Sequence, residues 1–273
     1  MDVKYLIQKE ARHRRMSERT IESYTFCVQK FFKWCKKEPK KVTKKDIKDF
    51  VAYLNSKGYA GNTINIYVNA LRFLLQEILA KRVLWNIKYS KKPKTLPVVL
   101  TQEEVVRLIK AIKNTKHKLL IKILYGAGLR VSEVVNLQVK NLELEKGYGW
   151  VRKGKGNKDR LMIIPKLVIP ELRNFLKTNN IEEGFVFLGW KGRHLHTMSV
   201  QEIVKRASKK AKIKKNVHPH TLRHSFATHL VENGYDVASV QTLLGHASMN
   251  TTMVYVHMAS PKLIDVVSPL DSL

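Results

Sequence analysis

The sequence predicts a mainly α-helical protein in two parts: an N-terminal helical bundle, then an α+β domain whose β content is a small hairpin or sheet. Three observations carry this reading. Residues 1–85 place apolar side chains at three- and four-residue steps almost throughout. Residues 86–97 (NIKYSKKPKTLP) lose that periodicity and contain Pro93 and Pro97, which bias the residues before them toward extended backbone. Residues 148–153 and 160–164 flank a glycine-containing tip, Gly154-Lys155-Gly156-Asn157-Lys158-Asp159, as the strands of a hairpin would. A length of 273 residues suits two domains. The expected boundaries are a helical domain over 1–87, a basic linker over 88–97, and a second domain over 98–273 with a tail helix at about 260–270.

Within the first part, Ser17 or Thr20 can cap a helix running to about Lys36. Its apolar face is Ile21, Tyr24, Phe26 or Cys27, Val28, Phe31, Phe32 and Trp34, an aromatic stripe that reads as core. Thr43 can cap a helix with Ile47, Phe50, Val51 and Leu54 that stops near Gly58. Thr63 can open another, with Ile66, Tyr67, Ala70, Leu71, Leu74 and Leu75. After the linker, Thr101 and Glu104 form a capping box before a helix to about 113. Helical patterns follow at about 117–125, 132–137, 166–178, 198–212, 220–233, 236–243 and 249–257. Phe185-Val186-Phe187-Leu188 reads as a further strand, and 261–267 as a short amphipathic stretch.

The chain has 51 Lys+Arg against 22 Asp+Glu, a net charge of +29. Residues 1–100 hold 23 basic and 8 acidic side chains and residues 101–273 hold 28 and 14, so both parts are cationic. Such an excess points to a polyanion, nucleic acid before an anionic membrane, contacted by both parts. A hydrophobic content of 44% excludes wholesale disorder. There is no run of about 20 apolar residues to span a membrane, and MDVKYLIQKEARHRR has no apolar secretory core. Cys27 and Cys35 alone cannot make a disulfide framework or a four-ligand zinc site. A cytoplasmic protein with no membrane partner is expected.

There is no G-x-x-x-x-G-K-[ST] and no H-E-x-x-H, and the seven aspartates offer no convincing acidic triad for a two-metal nuclease. A DNA enzyme of this composition would need no metal, no cofactor and no ATP. Cationic side chains would replace the metal, and a side-chain nucleophile would replace activated water.

Four segments meet that demand: GAGLRVSE at 126–133, GKGNKDR at 154–160, HPHTLRHSFATHL at 218–230 and LLGHASMNTTMVYVH at 243–257. In this order they resemble the tyrosine recombinase (phage-integrase) family, most closely its Xer-type members. The likeness covers the chain from about 100 onward, and the N-terminal part matches more loosely as a SAM-like core-binding domain. The resemblance implies roles. Arg130 and Arg223 would be the arginine pair on the non-bridging phosphate oxygens, a task suited to a permanently charged, forked guanidinium. Glu133, three residues after Arg130, could orient it or be an ordinary exposed glutamate. His220 would be the acid/base near the nucleophile, and His246 would hydrogen-bond a non-bridging oxygen. Lys155 would protonate the departing 5′-oxygen, with Lys153 and Lys158 as competitors on the same hairpin. Tyr255, nine residues after LLGH, would be the nucleophile. His218, His224, His229 and His257 remain structural or DNA-contacting, and the histidines lack the companions of a zinc site.

The resemblance also implies the reaction: strand cleavage to a 3′-phosphotyrosyl bond and a free 5′-hydroxyl, then attack by a partner 5′-hydroxyl through a Holliday junction. The partners would be a double-stranded DNA recombination site and further copies of the chain. Four protomers would act on two sites, as a dimer or monomer without DNA, with a DNA translocase as a candidate accessory. The tail 259–273 would dock on a neighbouring protomer or on its own domain, and the two domains would clamp the duplex. Resolution of chromosome or plasmid dimers and integration of a mobile element both remain open, with a non-catalytic DNA-binding protein as the rival from another class.

Overall fold

The computed structural model describes residues 2–81, 89–90, 96–152, 159–245 and 252–253. The chain divides into two compact units, Met1–Lys94 and Thr95–Leu273.

In the first unit, α1 (Val3–His13) is capped by Asp2, whose side chain accepts the Tyr5 N–H at 3.1 Å. α2 (Glu18–Cys35) is capped by Ser17 and stops where Lys36 turns left-handed. Cys27 takes the buried position that Phe26 could have held, and Phe26 is 61% exposed. α3 (Lys44–Ser56) has a complete capping box between Thr43 and Asp46. α4 (Gly61–Arg72) follows Ala60 at its N-cap, ahead of Thr63, and has no side-chain cap. Ile64 and Asn65 are buried near its start, and Ile66 falls off that face and is exposed.

α4 runs on into a π-helical segment, Phe73–Ile78, where the Leu79 N–H reaches back to Leu74 O at 3.0 Å. Phe31 is fully buried against Phe50, ring edge on face at 5.1 Å, with Phe32 and Trp34 packed on the same core. Truncating Phe31 to Ala would cost about 3–5 kcal/mol. Of the predicted linker, Tyr89, Ser90, Leu96 and Pro97 are described. The Asn65 side chain accepts the Ser90 N–H at 2.8 Å and donates to its carbonyl at 3.1 Å.

The second unit opens with α5 (Gln102–Lys110), capped by the expected Thr101–Glu104 box. α6 (Thr115–Gly126) and the short α7 (Val131–Val135) follow. The sheet has three antiparallel strands in the order β1 (Leu142–Glu143), β2 (Tyr148–Val151), β3 (Arg160–Ile163). β2 and β3 are the predicted hairpin, in register Tyr148 with Ile163 and Val151 with Arg160. β1 carries no signal of its own at two residues. Residues 185–188 make isolated bridges, Gln138 with Phe185 and Leu188 with His194, and do not join the sheet. Val186 and Phe187 are buried all the same, so the apolar run served the core and not a strand. α8 (Ile169–Thr178), α9 (Thr197–Lys210), α10 (Pro219–Glu232) and α11 (Val237–Leu244) complete the described part. α10 packs on α6 and α9, and α11 packs on α10 and β3. The hairpin tip 153–158, the segment 246–251 and residues 254–273, with the predicted tail helix, lie outside the described residues.

Candidate active site

The site grows from the turn between α6 and α7. Gly128 has φ +58°, and a Cβ there would meet the Phe226 ring at 2.3 Å, so only glycine fits this close approach. The approach lets the Gly128 carbonyl accept from Arg223 Nη1 at 2.6 Å. Arg130 then caps α7: its backbone N–H donates to Glu133 Oε2 at 2.8 Å, and its Nη1 donates to Glu133 Oε1 at 2.6 Å. Glu133 is therefore an orienting partner of Arg130 and not an exposed glutamate; it is 8% exposed.

Two more guanidiniums converge on that carboxylate. Arg160 Nη2 donates to Oε2 at 2.7 Å, and Arg223 Nη1 stands 3.7 Å from Oε2. Burial alone would raise the Glu133 carboxyl, but Arg160 and Arg130 outweigh it and hold the acid below its ordinary range.

The end of α11 binds the same three arginines. Leu243 O accepts from Arg160 Nη1 at 2.5 Å, Leu244 O from Arg223 Nη2 at 2.5 Å, and Gly245 O from Arg130 Nη2 at 3.4 Å. These carbonyls stand at the C-terminal end of α11, the negative end of its dipole. The LLG of the LLGH segment is thus a row of acceptors, each matched to one arginine. Gly245 itself has φ +62° and passes over the Arg160 side chain so closely that a Cβ would lie 2.6 Å from Cδ.

α10 presents the histidines. His218 caps it: Nδ1 accepts the Thr221 N–H at 3.3 Å, and the His218 N–H donates to Thr221 Oγ1 at 3.2 Å. His220 follows in the first turn, ring centroids 6.3 Å from both His218 and His224. The His220 ring is partly open to solvent. Its desolvated side, with repulsion from Arg223, His218 and Arg130, lowers its pKa, so it is neutral at pH 7. Burial first, then His220 and His218, push His224 down to about 4. His229 shares a 2.8 Å hydrogen bond with the Tyr125 hydroxyl, a structural use. No group of three or more His, Cys, Asp and Glu suited to a metal occurs among the described residues.

Of the six site residues read from the sequence, Arg130 and Arg223 share one carboxylate, and His220 lies beside them on α10. Lys155, His246 and Tyr255 lie outside the described residues. Arg160, the last residue of GKGNKDR, also belongs to the cluster, a place its motif does not announce. A signal was present: in a strand, Arg160 shares its face with Met162, which is buried, so it points inward.

The chain belongs to the phage integrase family: residues 98–261 match that family, and residues 6–85 match the phage integrase N-terminal SAM-like domain. It is 39% identical over 256 residues to a tyrosine recombinase XerA of Pyrococcus furiosus, covering 92% of this chain and 87% of the relative. Among solved structures, a XerA recombinase crystal structure is 30% identical with a TM-score of 0.58, covering 97% of this chain and 96% of the other. A XerH site-specific recombinase bound to a palindromic difH substrate, in a post-cleavage complex, has a TM-score of 0.78 at 26% identity. It is covered over 80% of its length, with 92% of this chain. The chain is a site-specific tyrosine recombinase, Xer-like in kind. Among the described residues, no helix is long and apolar enough to cross a membrane.

Proposed function

We propose that the Tyr255 hydroxyl attacks a DNA phosphodiester, forming an O–P bond as the bond from phosphorus to the 5′-oxygen breaks. The observation that supports this reading best is the pair Arg130 and Arg223, held around Glu133 and the end of α11. Charge gathers on the non-bridging oxygens as the tyrosine attacks. Preoriented guanidiniums meet it without reorganisation, which is where electrostatic catalysis gains most. Arg130 spends Nη1 on Glu133 and Nη2 on Gly245 O, and five N–H donors leave capacity for phosphate. His246 adds a donor. His220, neutral at pH 7, can take the Tyr255 proton. Lys155 returns a proton to the 5′-oxygen, leaving a 3′-phosphotyrosyl bond and a free 5′-hydroxyl. A 5′-hydroxyl from a second duplex reverses the step.

The covalent bond conserves the energy of the broken one, so the reaction needs neither metal nor ATP. Residues 1–87 form the core-binding domain, joined through 88–97 to the catalytic domain. Four copies act on two DNA sites, and the housekeeping role is resolution of chromosome or plasmid dimers, with a translocase as accessory. The test is incubation with nicked duplexes carrying candidate sites, in chelator and without ATP, followed by a denaturing gel. A protease-sensitive covalent adduct lost only in Tyr255→Phe supports the reading. An adduct that persists in Tyr255→Phe moves the nucleophile elsewhere. Salt-sensitive binding with no adduct on any site favours a non-catalytic DNA-binding protein.

A further inference from the structure

β3 enters the site through Arg160, the residue that closes GKGNKDR. Its side chain is 10% exposed. Nη2 donates to the Glu133 oxygen that also accepts the Arg130 backbone N–H. Nη1 donates to Leu243 O at 2.5 Å and to Leu161 O at 3.2 Å. Its aliphatic stem lies under Gly245. One guanidinium thus joins β3, α7 and the end of α11.

We propose that Arg160 is a positioning residue: it fastens the root of the lysine-bearing hairpin to Glu133 and to α11, and so keeps the leaving-group acid in register with the phosphate-binding arginines. This rests on the reading of that hairpin as the carrier of the acid. A proton donor must come within hydrogen-bond reach of the departing oxygen, and a two-stranded hairpin holds its tip only as well as its root is anchored. Among the described residues, the other ion pair at the root, Arg152 with Asp159, has side chains 49% and 44% exposed, so solvent screens it. Arg160 is the buried anchor. Loss of Arg160 leaves Glu133 to Arg130 and Arg223, which strengthens that pairing. The defect should therefore fall on protonation of the leaving group and not on phosphate binding.

A duplex with sulfur in place of the bridging 5′-oxygen separates the two. A thiol ionises near pH 8.5, an alcohol far higher, so the sulfur leaves without a proton. The variants are Arg160→Met, which keeps a stem under Gly245 without hydrogen bonds, Arg160→Lys, and Lys155→Ala as reference. Single-turnover adduct formation is read on both substrates, with DNA affinity and Tm. Arg160→Met should slow cleavage of the oxygen substrate about 100-fold, the scale of a 1 Å misplacement. On the sulfur substrate it should return to within about ten-fold of the parent, as should Lys155→Ala. Arg160→Lys, which keeps a charge for Glu133 but lacks the second arm, should fall between the two and recover in the same way.

Unchanged cleavage in Arg160→Met, or a loss shared by both substrates while Lys155→Ala recovers, overturns the proposal. If Lys155→Ala does not recover and Arg160→Met does, Lys155 is the wrong acid and the anchor stands, serving another lysine of the hairpin. If neither recovers, both readings fall. If Arg160→Met does not fold, Arg160→Lys decides by the same criterion.

Discussion

Asp46 in the first unit and Glu133 in the second hold the same place in their helices. Each is the third residue of its helix, and each accepts its cap's backbone N–H at 2.8 Å. What else reaches them differs. Asp46 meets the Lys37 ammonium at 2.7 Å and the Thr43 hydroxyl, close to the surface, and Lys37 holds its carboxyl near 2. Glu133 is buried and meets three guanidiniums. A carboxylate near water serves its own helix, whereas a buried one must be paired and so becomes a hub. The same local motif thus stops at secondary structure in one unit and gathers three arginines in the other.

The comparison can be broken most directly at Glu133. Glu133→Gln keeps the shape and removes the charge, leaving three clustered cations around an amide. Removing one partner of a buried pair typically costs about 3–5 kcal/mol. Adduct formation should fall at least about 100-fold, the usual scale for loss of preorganised charge stabilisation. A denaturant melt and the nicked-duplex assay read the two effects; a variant with parental cleavage would show that Glu133 is only a cap.

Gly245→Ala leaves both carboxylates in place and forces a Cβ toward the Arg160 Cδ at a positive φ. A loss of about 1–3 kcal/mol is expected from the strain, with cleavage down by about ten-fold or more at that cost. Parental values in the same two assays would show that α11 does not set the arginines.

Acid sharpens the comparison. His224 has a folded pKa of about 4, below the unfolded 6.5. The unfolded chain therefore binds the proton first, and stability drops as pH falls from about 6.5 toward 4. Asp46 has the same sign in a lower window: its stabilisation is fully present above pH 3.8 and is lost only as pH falls through about 2. Between pH 7 and 4 the melting temperature should fall because of the second unit's histidines, and His224→Gln should flatten that slope. A slope unchanged in His224→Gln would refute the assignment. Cleavage should persist somewhat below pH 6.5, because the His220 pKa is also lowered.

The smallest effect is expected at the first carboxylate. Asp46→Asn should cost about 1 kcal/mol, the worth of a cap, and leave adduct formation within about two-fold of the parent. A cleavage defect like that of Glu133→Gln would erase the difference between the two units.

Much of the fold was legible because its signals are local. Ser17, Thr43 and Thr101 cap where their side chains and spacing say they should. The hairpin strands stand where alternation ends in glycine. Thr63 is a good cap that is not used, because the helix has already begun at Gly61, two residues before it. Residues 185–188 have a strand's composition and pair only through isolated bridges, because their burial against the second core decides their path.

The sequence by itself determined the helical character of both units, the caps, the hairpin, the cationic surface and the four motifs in their order. Those rest on neighbours within a few residues and on composition. Only the tertiary structure decided that Glu133 is a hub, that Arg160 is inside the site, and that the carbonyls of Leu243, Leu244 and Gly245 each hold an arginine. The reason is distance along the chain. Arg160 is 27 residues from Glu133 and 83 from Leu243, and Arg223 is 95 from Gly128. An arginine at a cationic hairpin reads as surface until the fold brings it a buried carboxylate and a helix end to satisfy its charge.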